Sequence, residues 1–281
     1  MKSINLYSIK RIIKIILLYA LLAAGSFIMI FPFLWMIMGS FKTPQEIIMF
    51  PPKLFPSHIS FENFSKAFKL APFGRYFINS LIVMILSVFT TTTTSILGAF
   101  AFSRLKFKGK EILFSILLSL MMIPFEMLII TNYTTIVKLH LFNTIPALVL
   151  PFVASIFYTY ILRNFFDTVS DSLYYSARID GASNWTYLWR ILVPMAKPSL
   201  FTIILLNALS SWNSFIWPLY ITADLRSRTL PYGLQVFTNE AGSFQELLMA
   251  ASSVIILPMI VLFLIARKYI ISGVARGGIK A

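Results

Sequence analysis

The side chains able to do chemistry are few and scattered. His58 and His140 are the only histidines, far apart and with no acidic pair beside either, and cysteine is absent. Neither a His/Cys metal centre nor a thiol nucleophile with its base can be assembled, so a membrane-bound enzyme is disfavoured and no catalytic or metal-ligating residue is assigned. What remains are polar groups set inside apolar runs. Glu126 follows Pro124 in MMIPFEM, and Asn207, Ser210, Ser211, Trp212 and Asn213 lie together in LNALSSWN. Such groups are costly against lipid and should face protein or water. Glu126, Asn207, Ser211, Trp212 and Asn213 are therefore candidates to line a path through a membrane. An interhelical polar contact is the alternative for Glu126, and helix packing for Trp212.

The longest polar interruption is residues 164–198, NFFDTVSDSLYYSARIDGASNWTYLWRILVPMAKP. Its signals predict two short helices. Ser170 or Asp171 can cap the first, which runs through Leu173, Ala177 and Ile179, and Gly181 stands where a left-handed residue would end it. Ser183 or Asn184 can cap the second, through Trp185, Leu188, Trp189 and Leu192, with Pro194 and Pro198 closing the segment. Apolar and charged residues share both helices, which suits either an amphipathic linker or an element packed on something else at a membrane surface.

The elements that must position these groups follow from composition. Among 281 residues 58% are hydrophobic and 12% charged, and mean hydropathy is +0.82, too apolar for one soluble domain. Spans are expected at 15–38, 77–102, 112–137, 145–162, 200–220 and 247–265, making an all-α, polytopic membrane protein with six transmembrane helices and a cytoplasmic loop at 164–198. The first run is longer than a signal-peptide core and lacks a small-residue cleavage site, so it is retained as a helix, with a kink expected at Pro32. Residues 43–76 read as an outer segment with an interfacial helix at 61–70. Hydroxyls at 90–95 can return hydrogen bonds to their own helix, or face a partner helix or a polar path.

The net charge of +14 resides in segments between the apolar runs, which argues for membrane orientation and against nucleic acid as a partner. Sixteen of the 24 Lys and Arg, including Lys2, Lys10, Arg267, Lys268, Arg276 and Lys280, fall on the face that holds both termini, and eight on the other. Both termini and the 164–198 loop are thus expected in the cytoplasm, and membrane lipid around the spans.

ARIDGAS, followed by RILVP and KP, resembles the cytoplasmic loop signature of permease subunits of binding-protein-dependent ABC importers. Asp180, Gly181, Ala182, Pro194 and Pro198 match. The family's Glu-Ala-Ala is Tyr175, Ser176, Ala177 here, and its preceding proline is Ser170. GSFKTPQEI, PPKLFP, FENF, FINS, GAFAFSRLKFKGK, SWNSFIWPL, TLPYGL, LMAA and RGGIK extend the likeness along nearly the whole chain, toward the carbohydrate-uptake branch and the smaller membrane subunit of maltose importers. In the tail, Gly278 and Ile279 replace the usual residues.

The resemblance implies one importer transmembrane domain over 1–281 in a bacterial plasma membrane. It implies a second homologous permease subunit, two cytoplasmic ATPase subunits, an extracellular solute-binding protein and a sugar substrate. No cofactor is expected on this chain, because ATP and Mg belong to the ATPase subunits. Asp171, Tyr175, Ala177, Asp180, Gly181, Ala182, Trp185 and Trp189 become the coupling residues, docking by shape and apolar contact where the family uses a glutamate. Trp212, Phe215 and Trp217 become candidates to stack on sugar rings, with ordinary helix packing or an interface anchor the alternative for each. The alternative is a stand-alone secondary transporter or channel with Glu126 as its ion or proton site.

Overall fold

A computed structural model describes the backbone of residues 6–239 and 242–277, and the side chains of 11–238 and 244–264. The tail readings at Gly278, Ile279 and Lys280 and those on Lys2 lie outside the described residues, as do the side chains of Lys10, Arg267, Lys268 and Arg276. Among the described residues the chain is helical apart from its connections and a short pairing of Thr238–Asn239 with Gly242–Ser243.

In chain order the helices are α1 (Leu6–Gly39), α2 (Pro44–Ile48), α3 (Glu62–Leu70), α4 (Phe73–Arg104), α5 (Lys110–Leu120), α6 (Ile129–Lys138), α7 (Ile145–Val149) and α8 (Ile156–Asp167). They continue as α9 (Asp171–Ile179), α10 (Asn184–Tyr187), α11 (Val193–Met195), α12 (Lys197–Trp212), α13 (Ile216–Ile221), α14 (Leu230–Gly233) and α15 (Gln245–Gly277). Helix α1 runs on through Pro32.

Three helices are singly long and apolar enough to cross a membrane: Arg11–Gly39, Phe73–Arg104 and Gln245–Leu264. The count reaches six when each bent pair is one span. The third expected span is such a pair and not one helix. Its halves, Lys110–Leu120 and Phe125–Lys138, meet at 90°, because Pro124 has no N–H to give and takes an extended backbone at ψ 141°. The fourth bends by 48° between Ile145–Phe152 and Ile156–Asp167. The fifth starts at Lys197, stops at Trp212 and resumes as α13, so 200–220 is also discontinuous.

The chain forms two compact units, residues 1–71 with 236–256 and residues 72–235 with 257–281. In the first, α1 presents apolar side chains outward along its length, Phe27, Ile28 and Met29 among them. That surface suits hydrocarbon. Below its end a polar lock forms: buried Asn63 donates to the Ser40 and Lys42 carbonyls at 2.9 and 2.8 Å. Buried Lys42 lies 4.5 Å from the Trp35 ring centroid and donates to the Lys53 carbonyl. Thr43 and Glu46 make a reciprocal capping box on α2, and Glu46 also accepts from the Ser57 amide at 2.9 Å. These bonds to the charged form, from Ser57 first and Thr43 next, hold the Glu46 carboxyl down at about 2.

In the second unit α4 packs along α8 and α12. Breaking a span frees backbone carbonyls that the interior must satisfy. Pro151 cannot donate to Ala147, and the indole N–H of Trp217 takes that carbonyl at 3.0 Å. Thr91 and Thr94 donate across from α4 to the Phe152 and Val153 carbonyls, each at 2.6 Å. Their neighbours Thr90 and Thr93 bond back to Leu86 and Phe89 in their own helix. The 90–95 hydroxyls therefore divide by face between the two readings. At the other end of α4, Asn79 donates to the Arg226 and Arg228 carbonyls and Ser80 accepts from the Leu230 amide.

Candidate functional site

The 164–198 stretch folds as a helix, a glycine corner and a second helix. Ser170 caps α9 by accepting from the Ser172 amide, and Gly181 adopts φ +81°. Ala182 N–H returns to the Ala177 carbonyl at 2.9 Å and Gly181 N–H to Arg178 at 3.1 Å, the paired bonds of a Schellman ending. Ser183 caps α10 through the Thr186 amide. Tyr174 donates to the Asn184 side chain at 2.8 Å and so fixes the angle between the helices.

Pro194 and Pro198 do not close the segment. A π-helical turn at Leu188–Leu192, sealed by Val193 N–H to the Leu188 carbonyl, leads into α11 with Pro194 in its first turn. Pro198 likewise sits in the first turn of α12, where a missing N–H costs nothing. α12 leaves the preceding segment at 80°.

One face of this element is committed to the interior. Ala177, Tyr187, Leu188 and Leu192 are buried with Phe100, Leu162, Phe166 and Ile203 in one core cluster. The other face is bare: Ile179 is 85% and Trp185 61% exposed, with Tyr175, Asp180 and Gly181 beside them, and Trp189 half-buried against Trp185 at 5.5 Å. Lys106 lies 5.8 Å from the Tyr175 ring centroid, and its ammonium pKa is raised chiefly by hydrogen bonding to that phenol. Of the eight expected coupling residues, Tyr175, Asp180, Gly181 and Trp185 are therefore outward. Ala182 and Trp189 are half-buried, and Ala177 belongs to the core, because it faces back on the register that buries Tyr187.

Asp171 has a different employment. Its carboxylate accepts from Arg104 at 2.5 Å while remaining 73% exposed. The Arg104 side chain is only 4% exposed and donates at 2.6 Å to each of the Phe166 and Val169 carbonyls. One guanidinium at the end of α4 thus holds the end of α8 and the first turn of α9 together. Sequence inspection does not find this, because the partners lie more than 60 residues from Arg104.

Within the same unit lies a cavity of about 260 Å³ between α4, the break from α7 to α8, and α12. Hydroxyl, amide and aromatic groups line it, among them Ser87, Thr91, Phe157, Tyr158, Asn207, Ser210, Ser211 and Thr229. None of its lining side chains is charged. Of the candidate path residues, Asn207 and Ser211 line this cavity. Trp212 does not: it is 1% exposed and packs edge-on against Phe77 at 5.7 Å. Trp217 is equally buried, its ring against Phe125 and its N–H spent on Ala147, so neither indole is free to stack on a solute here. Asn213 is an exposed residue at the end of α12, and Glu126 is exposed in the turn after the break at Pro124, apart from the cavity. Ser87 and Tyr158 carry no distinguishing sequence signal, and Thr229 enters only as the first residue of TLPYGL. Their elements meet only through the broken spans.

Residues 94–276 match the family of binding-protein-dependent transport system inner membrane components. The chain is 31% identical over 91% of its length to the arabinooligosaccharides transport system permease protein AraQ of Bacillus subtilis, of which 92% is covered. It is 33% identical to the trehalose/maltose transport system permease protein MalG of Thermococcus litoralis, covering 96% of this chain and 99% of that one. It is also 30% identical to the diacetylchitobiose uptake system permease protein NgcG of Streptomyces coelicolor, over 92% of this chain and 87% of that one. The crystal structure of a bacterial ABC transporter that imports the acidic polysaccharide alginate contains a chain of the same fold, with a TM-score of 0.79 at 24% identity, covering 92% and 96% of the two chains. The loop, the broken spans and these likenesses converge: this chain belongs to the family of inner-membrane permease components of binding-protein-dependent transport systems.

Proposed function

We propose that the chain is one permease half of an ATP-driven carbohydrate importer. A second permease completes the pathway, two cytoplasmic ATPase subunits carry ATP and Mg, and an extracellular binding protein delivers the sugar. Both termini and the α9–α10 corner face the cytoplasm, in keeping with the excess of Lys and Arg on that side. The observation that carries this reading is the two-faced corner element. Its inner side is locked into the helical core and pinned by Arg104, and its outer side exposes Ile179, Trp185 and the Gly181 turn.

In this reading a cleft on the ATPase receives Tyr175, Ile179, Asp180, Gly181 and Trp185. Asp171, Ala177, Ala182 and Trp189 hold that surface from within. Closure of the ATPase dimer on ATP pushes the corner as a rigid body, and the attached helices switch between inward and outward access. Burying the exposed apolar groups supplies affinity without an acidic handle. A small oligosaccharide as substrate is in keeping with relatives named for arabinooligosaccharides, trehalose or maltose, and diacetylchitobiose.

The test is co-expression with candidate partner subunits, purification, and measurement of ATPase activity with binding protein and sugar. Stimulated ATPase and sugar uptake that require all subunits are expected. Uptake by this polypeptide alone, driven by an ion gradient, would instead establish the secondary-transporter reading built on Glu126.

A further inference from the structure

The broken third and fourth spans differ in what becomes of their backbone. At the fourth, Trp217, Thr91 and Thr94 bring donors to the Ala147, Phe152 and Val153 carbonyls. At the third, α5 ends in three tight bonds, Met121 N–H to Leu118, Met122 to Ser119 and Ile123 to Leu120, at 3.1, 3.1 and 3.2 Å. The next carbonyls, those of Met121, Met122 and Ile123, receive no hydrogen bond from a described residue, and the 3-10 turn at Phe125–Leu128 opens without a side-chain cap. Glu126 lies in that turn, its carboxylate exposed and without a hydrogen bond or ion pair among the described residues. The nearest basic residues along the span are Lys110 and Lys138, 16 and 12 residues away. Met122, Met127 and Ile130, which flank it in sequence, are 84%, 74% and 77% exposed. Lipid suits those three side chains but neither the carboxylate nor the carbonyls. Water suits the carboxylate but not the apolar rim. Another helix, apolar around a polar contact, suits both.

We propose that the break in the third span is a contact surface for the second permease subunit, which covers Met122, Met127 and Ile130 with apolar side chains and brings a basic side chain to Glu126. The assignment rests on the import reading above. The charge of the partner group follows from the local field. The carbonyl end of α5 carries partial negative charge, and the Glu126 carboxylate adds to it. A guanidinium or ammonium answers both, with charge-assisted hydrogen bonds. A second copy of this chain fits poorly, because an isologous contact through this patch sets one carboxylate against another.

The experiment uses the complete transporter, co-expressed with a tag on this chain. A benzophenone side chain placed at Met122 or Met127 should cross-link to the second permease in membranes. Glu126→Leu should lower recovery of the second permease on the tagged chain by about tenfold or more, and Glu126→Gln by about threefold, as when one member of a buried charge pair is removed or neutralised. Both variant chains purified alone should match wild type in yield and monodispersity. The chain has no cysteine, so Glu126→Cys reports exposure directly. A water-soluble thiol reagent should label it in the solubilised chain alone, and about tenfold more slowly in the assembly. Equal labelling rates would place residue 126 in a water-filled path and overturn the proposal. Full recovery of the partner by Glu126→Leu would leave the surface to lipid, and cross-links between two copies of this chain would make it a homodimer contact; each overturns it too. Should a variant fail to fold, the cross-links from 122 and 127, which keep Glu126, decide. A wild-type chain that recovers no second permease would refute the import reading itself, an outcome distinct from variants that fail in a complete transporter.

Discussion

Replacing Arg104 should uncouple the corner element from the helix bundle without unfolding the chain. Arg104→Met keeps the buried stem and removes the guanidinium. It deletes two charge-assisted bonds, each 2.6 Å, to the Phe166 and Val169 carbonyls, together with the ion pair to Asp171. The Phe166 carbonyl keeps a second donor in Val169 N–H at 3.1 Å, so the cost falls chiefly on the Val169 carbonyl and the lost charge-assisted bonds. Hydrogen bonds to charged groups contribute about 1.5–3 kcal/mol each, and with one acceptor partly re-satisfied the local loss is roughly 2–4 kcal/mol. Asp171→Asn removes only the pair at a 73% exposed carboxylate, worth roughly 0.2–1 kcal/mol after solvent screening.

Hydrogen exchange resolves the difference. The α9 amides from Leu173 to Arg178 should lose protection by about a hundredfold in Arg104→Met and by less than about fivefold in Asp171→Asn, while mid-α4 amides around Thr91 stay protected in both. ATPase stimulation by loaded binding protein should fall in parallel with the α9 opening. Equal effects of the two substitutions would refute the reasoning, because they would place the energy in the exposed ion pair and not in the buried carbonyl contacts. Global loss of protection in Arg104→Met would show the clamp to be part of the fold and not a joint.

At Gly181 a built Cβ meets nothing within 4 Å, so the penalty of substitution comes from the left-handed backbone alone. Gly181→Asn should therefore couple better than Gly181→Ala, with Gly181→Val worst and Ala costing about 1–2 kcal/mol; ATPase stimulation that ranks by side-chain volume would contradict this. Tyr175→Glu places a carboxylate beside Lys106, whose ammonium pKa is already raised through the phenol. The new carboxylate should pair there within the chain, so ATPase association should gain little unless Lys106→Ala is added, and a full gain from the single substitution would count against the pairing. Glu46, held at about 2 against an ordinary 4.5, favours the folded outer segment fully above 4.5, and that contribution disappears as pH falls through about 2. Exchange protection of the Ser57 amide should decline over that interval in the native protein and show no such step in Glu46→Gln.

The apolar runs and turn residues made much of this fold legible. Six segments, the amphipathic outer helix, both serine caps and the left-handed Gly181 follow from local chemistry, which depends on neighbours a few residues away. The breaks were harder. Pro124, Pro146 and Pro151 announce that spans three and four are imperfect, but whether a proline kinks a helix or splits it depends on who satisfies the freed carbonyls. For the fourth span the answer lies in Trp217, Thr91 and Thr94, from other parts of the chain. The same non-locality governs what local reading leaves open. Trp212 and Trp217 carry the composition of a sugar platform, yet the core claims both rings. Asp171 reads locally as a helix cap or a coupling residue, and its pairing with Arg104 from 67 residues away has no local signal. Pro194 reads as a stop because nothing local reveals the π turn that leads the chain past it.

Helix α4 joins these observations. Its 32 residues, about 48 Å at 1.5 Å per residue, carry three separate attachments. Arg104 at one end grips the corner element. Thr91 and Thr94 in the middle satisfy the broken fourth span, next to cavity-lining Ser87. Asn79 and Ser80 toward the other end hold the 226–230 segment, which contributes Thr229 to the same cavity. A helix that buries Ile96, Ala99 and Phe100 against α8 and α12 cannot slide freely past them. In the import reading proposed above, a force on the corner is passed through Arg104 to α4 and the helices packed on it. At the fourth-span break the freed carbonyls are taken by side-chain donors, Trp217 at Ala147 and Thr91 and Thr94 at Phe152 and Val153. In that reading the helix interruptions, which cost backbone hydrogen bonds, are the joints at which the cavity walls part.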